Sequence, residues 1–235
     1  MSNEPLLSNV GNFRNVNLNL SSDEIPFTPT PLHKASGDGN LEEVKELIES
    51  GEYVDSVFAP MNMNMCWTPL TIAARGGHLN VVKYLIENGA DINIINCNRD
   101  KDTPNISLSA LSAAAKRQHL DTFNYLIGKG AKVDNSTLYE AVDGLFREKS
   151  PGKRDSSINI IKQIMKNKNV NPKTNVVGFH ETESSLDLAK AKGDKEIIKL
   201  LTRGWFGGSY KRKNKHNTRR NRKSKNKVSL KRARY

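Results

Sequence analysis

Apolar positions along the chain fall into stripes that return. Leu41, Val44, Leu47 and Ile48 recur at helical spacing, and the stripe comes back as Leu79, Val82, Leu85 and Ile86, then as Leu120, Phe123, Leu126 and Ile127. Each predicts an amphipathic helix with one face to bury. A shorter segment precedes each one. In the first, Leu32 and Ala35 share a face, and Ser36 holds the place taken later by Ala74 and Ala115, so a small residue stands there each time and a neighbour can approach closely. Between the two segments, "GDGN" or "RGGH" supplies a turn in which glycine takes the positive φ that other residues avoid. The longer helix is expected to stop at Gly51, Gly89 and Gly130, a left-handed C-terminal position.

Helix starts are as regular as the stops. Thr30 is placed to cap the first helix through its hydroxyl, and Pro31 occupies the first helical position, where a missing N–H costs nothing. Equivalent starts follow at Thr68, Ser109, Ser136 and Ser184, spaced 38, 41, 27 and 48 residues apart. The helices thus keep their grammar while the loops vary. In the fourth unit "GLFREKSPGKRDSS" is expected to interrupt the helix pair, with the second helix resuming at "INIIKQIMK". Each unit carries more apolar surface than it can bury alone, and stacking resolves this.

The residues that carry a resemblance are Thr30-Pro31-Leu32-His33, Gly77-His78 and "NGADIN" from Asn88 to Asn93. They resemble the ankyrin repeat. The fold implied is all-α, a solenoid of about five degenerate helix-turn-helix units with hairpin-like loops. Its domain is expected over 27–204, after a flexible segment at 1–26 and before a disordered basic tail at 205–235. The resemblance also implies that the loops form fingers beside a concave face, and that His33, His78 and His119 fasten loops by hydrogen bonding. The partner-binding positions it implies are Met65 and Trp67 in the second finger, Arg75, Lys116 and Arg117 after the paired alanines, and Lys192 in the last unit. Trp67 is the expected anchor, because aromatic side chains dominate binding hot spots; packing against a neighbouring finger is its competing role. Asn93, with Leu85 and Asp91 at the usual offsets, resembles the finger asparagine modified by asparaginyl hydroxylases; a structural turn is its competing role.

Charge changes the picture at one end only. The formal net charge is +12, yet 13 of the Lys and Arg residues lie between Trp205 and Tyr235 with no acid among them. Residues 1–204 therefore hold 24 bases against 25 acids, and the body is neutral. The tail, with Lys211, Arg212, Lys213, Lys215, Arg219, Arg220, Arg222, Lys223, Lys225 and Lys227, cannot form a core and is read as a nuclear-import signal, a nucleic-acid arm or a solubilising tag. A degenerate array followed by such a tail is similar in style to proteins encoded by large DNA viruses, which would place it in a host cell.

Reactive chemistry finds no foothold. There is no HExxH, paired CxxC, GxSxG or phosphate-binding glycine loop, and the acids Glu42, Glu43, Glu46 and Glu49 alternate with Lys45 as on a solvated face. The two cysteines, Cys66 and Cys97, lack metal-ligand spacing; a disulfide between them is the competing state, and reduced thiols are the expectation. The chain has no basic segment leading into an apolar run at its start and no stretch of eighteen apolar residues. The sequence thus predicts a non-enzyme without metal or cofactor, monomeric and off the membrane, in cytoplasm or nucleus. Its expected partner is a protein, with nucleic acid or an import receptor through the tail; a nucleic-acid-binding protein led by the tail is the alternative.

Overall fold

The computed structural model describes residues 28–59, 66–94, 108–147, 152–177 and 182–202, together with the backbone of 203–206. Five helix pairs follow one another in these residues. They are α1 (Pro31–Asp38) with α2 (Leu41–Glu49), α3 (Pro69–Gly76) with α4 (Leu79–Glu87), α5 (Ala110–Lys116) with α6 (Leu120–Gly128), α7 (Asn135–Arg147) with α8 (Lys153–Ile164), and α9 (Ser185–Ala191) with α10 (Lys195–Phe206). First helices stack on first helices from α1 to α9, and second helices on second helices from α2 to α8. The result is a two-layer solenoid, as its stripes require. Among the described residues no helix is long and apolar enough to cross a membrane.

One apolar core runs the length of the stack, from Leu32 in α1 to Leu201 in α10. Val44, Val82, Leu85, Phe123 and Leu126 are all sealed from solvent, which fixes the phase of the second-helix stripes. The small-residue positions are sealed too, Ser36, Ala74 and Ala115 among them. Burying a leucine or phenylalanine side chain contributes about 1.5–3 kcal/mol, and the apolar residues among these belong to one core shared by all five units.

The caps behave largely as the sequence implies. The hydroxyls of Thr68, Ser109 and Ser184 accept from backbone N–H groups three residues on, each at 3.1 Å. Thr30 departs from this. Its hydroxyl lies 2.9 Å from His33 Nδ1, and the Glu52 carboxylate accepts the Leu32 N–H at 3.2 Å, doing part of the capping from the following loop.

The fourth unit corrects an expectation. α7 continues through Gly144-Leu145-Phe146-Arg147 and α8 begins at Lys153, five residues ahead of Ile158, so much of the expected interruption is helix. The left-handed glycine between the two helices is here Gly152, at φ 87°, and within α7 Arg147 Nε donates to both Asp143 carboxylate oxygens at 2.7 Å, an i,i+4 pair that supports the added turn. At the far end α10 runs to Phe206, two residues beyond the expected limit of the repeat domain. A short antiparallel hairpin, β1 (Asn175–Val177) with β2 (Thr182–Ser184), forms the finger before α9. The N-terminal segment at 1–26 and the tail from 207 lie outside the described residues.

Candidate functional site: the fingers and the turns beside them

The finger before α3 is closed by a bridge between Phe58 and Trp67, whose backbones exchange hydrogen bonds of 3.2 and 2.9 Å. That pairing fixes the Trp67 ring, which packs with Leu108, Ala113, Phe58 and Ile72 in a small second core under the fingers. Only 7% of Trp67 is exposed. The sequence puts this ring at the partner surface, whereas the structure puts it beneath Arg75, whose guanidinium sits 4.9 Å above the ring. A buried aromatic with an arginine over its face leaves the arginine as the outward group.

Histidines set how the units meet. His33 is buried in α1; its Nδ1 accepts from the Thr30 N–H at 3.3 Å, and its Nε2 donates to the Trp67 carbonyl at 3.0 Å. Burial pulls its pKa down to about 4, against the opposing effect of the hydrogen bond to Trp67. His78 and His119 share a later position. His78 Nε2 donates to the Gly37 carbonyl at 2.9 Å, and His119 Nε2 to the Arg75 carbonyl at 3.0 Å, each reaching the turn of the unit before. Gly77 has a φ of 76°, and a Cβ built on it would meet the His119 ring, so glycine is needed there twice over.

In the third unit the corresponding residue is Gln118, which takes the same left-handed conformation at φ 63°. Its side chain offsets part of the strain by donating from Nε2 to the Gly144 carbonyl at 2.8 Å. Gly144 in turn lies so close to the Lys116 carbonyl that a Cβ would collide with it.

The His119 bond to the Arg75 carbonyl ties the turn of the second unit to that of the third, and Arg117 in that turn lies within electrostatic reach of Arg75. Arg75 has its pKa lowered first by partial burial and then by the charge of Arg117. His119 is lowered by burial, with Lys153, His78 and Arg117 adding positive charge around it. Both arginines are exposed, and among the described residues neither is paired with a carboxylate. Lys116 differs from the expectation. It is held by Glu140 at 2.6 Å and Asp143 at 3.3 Å, because α7 presents those two carboxylates, both largely buried, to the end of α5. Burial raises the Glu140 pKa and the Lys116 charge opposes that rise. Lys192 is exposed at the end of α9. Met65 and the ten named cations of the tail lie outside the described residues.

Asn93 is engaged structurally. Its side-chain oxygen accepts the Lys132 N–H of the next loop at 2.9 Å, just as Asp55 accepts the Asp91 N–H at 3.1 Å one unit earlier. The loops are thus laced in series by a side-chain oxygen four residues after Gly51 and Gly89; after Gly130 that residue, Asp134, caps α7 instead, and Asn135 accepts the Asn171 N–H at 2.7 Å. Sequence reading did not find this lacing, although the shared offset of Asp55 and Asn93 from Gly51 and Gly89 is its signal. Cys66 is disulfide-bonded, which corrects the expectation of reduced thiols; Cys97 lies outside the described residues. Hydrophobic spacing reports helix faces and does not decide between a reduced thiol and a disulfide, the two states the sequence leaves open for this cysteine. Among the described residues no cluster of His, Cys, Asp and Glu has the arrangement to hold a metal ion.

No curated protein matches the chain. The family model of ankyrin repeats, in three copies, matches residues 5–96. Ankyrin repeats are in general non-catalytic modules of protein–protein interaction. With that match, and with the same helix pair stacked five times among the described residues, the chain is built on ankyrin repeats.

Proposed function

We propose that the chain is a non-catalytic adaptor that binds a protein partner on the finger side of its repeat stack, around Arg75 and Arg117. The supporting observation is Arg75 itself: stacked on a fixed tryptophan, partly desolvated, and without a carboxylate among the described residues. An arginine held in one orientation loses little further entropy on binding, which is the character of an interface anchor. Lys192 extends the same reading to the last unit, and Lys116 is removed from it by its ion pairs. In this reading the basic residues of 205–235 serve nuclear import or non-specific contact with polyanions.

The test is crosslinking capture from cells with the full chain, comparing the wild type with the double charge reversal Arg75→Glu/Arg117→Glu and with a chain lacking residues 207–235. Loss of the captured proteins in the reversal, with retention in the truncation, is the expected result. Retention in the reversal with loss in the truncation overturns it in favour of a nucleic-acid-binding protein led by its tail.

A further inference from the structure

Arg75 and Arg117 make an arrangement that has a chemical preference. Trp67 is held by the finger bridge, and the Arg75 guanidinium sits over its ring, 4.9 Å from the ring centre. His119 ties the third turn to the Arg75 carbonyl at 3.0 Å, and Arg117, two residues before His119 in that turn, is near enough for its charge to act on Arg75. Two like charges brought together at a surface repel unless an anion stands between them. No described carboxylate pairs with either arginine, and the two acids that α7 presents to the end of α5, Glu140 and Asp143, are engaged by Lys116 and Arg147.

We propose that Arg75 and Arg117 form a paired guanidinium clamp, seated on Trp67, for the carboxylates of an acidic segment in a protein partner. This rests on the partner-binding reading above. Planar guanidinium forks match carboxylates bidentately, and two adjacent forks fit two acidic side chains of one extended strand or one helix face. Nucleic acid fits less well. Residues 1–204 hold 24 bases against 25 acids, and the aromatic face that a base would stack upon is already occupied by Arg75.

The experiment uses the full chain carrying Trp205→Phe, so that Trp67 is the remaining tryptophan. A short oligoglutamate peptide is titrated while tryptophan emission is followed, because an anion drawing on Arg75 alters the cation above the ring. The expected result is a saturable change that Arg117→Gln weakens roughly tenfold, the size of one charged hydrogen-bond pair. Arg75→Lys, which keeps the charge and loses the planar fork, is expected to weaken it as well. The dependence on Arg117 assigns the signal to the clamp and not to the basic residues of 205–235.

Absence of an emission change, or a dissociation constant indifferent to Arg117→Gln, overturns the proposal. So does a single-stranded oligodeoxynucleotide that produces the same change at lower concentration, since the clamp would then be a phosphate site. If oligoglutamate fails while the Arg75/Arg117 reversal still abolishes partner capture, the partner face stands and the acidic-segment assignment alone falls.

Discussion

At the scale of single residues, His33 links fold and solution conditions. Its pKa lies near 4 in the folded chain against 6.5 in the unfolded one, so the fold holds it neutral and the unfolded chain takes up the proton first. The stability it contributes is whole above pH 6.5 and is lost as pH falls toward 4, at about 1.4 kcal/mol per pH unit. Urea unfolding at several pH values should therefore show a steeper loss for the wild type than for His33→Gln, with the two curves parallel below pH 4. A constant difference across that window would mean that His33 stays protonated inside the fold. The sequence made His33 legible as a fastening residue through the Thr-Pro-Leu-His start. It left unread where the Nε2 hydrogen bond goes, because the Trp67 carbonyl is 34 positions away and is brought near only by stacking.

Elements show the same division between what neighbours in sequence decide and what packing decides. Helix starts, stops and stripe phases follow from short-range chemistry, and Val44, Val82 and Phe123 fall on the buried side as their spacing requires. The length of α7 does not follow from the repeat pattern alone, since α7 is also held by its packing against α5, where Glu140 and Asp143 take up Lys116. Gly144 marks that approach. In an exposed helix, glycine to alanine stabilises by about 0.5–1 kcal/mol. At residue 144 the added methyl meets the Lys116 backbone carbonyl, which cannot swing aside as a side chain would. Gly144→Ala is expected to destabilise by about 1–3 kcal/mol, the range for overpacking, and to loosen the Gln118 hydrogen bond to the Gly144 carbonyl. Thermal denaturation of the variant measures it, and a rise in midpoint would show that α5 and α7 have room to separate. The candidate site divides likewise: Arg75 and Arg117 are visible in the sequence as residues after paired alanines, whereas the cover that Arg75 places on Trp67 and the capture of Lys116 by α7 are tertiary facts.

For the molecule as a whole, the core is continuous and every unit is completed by the next. A chain cut at Asn98 separates the first two units from the third, exposing the α3 face that packs on α5 and leaving the Arg75 carbonyl without His119. Each fragment is expected to lose most of its helical circular dichroism alone, and mixing them is expected to restore part of it. Native-like helicity in both isolated fragments would show the stack to be two independent domains. The histidine ties give this dependence a direction in time. The Gly37 carbonyl waits for a residue 41 positions later and the Arg75 carbonyl for one 44 positions later. A ribosome adding about 5–20 residues per second delivers each such residue only after some 2–9 s. While the chain is being made, its newest unit is therefore always unfinished, its turn carbonyl open until the following unit emerges.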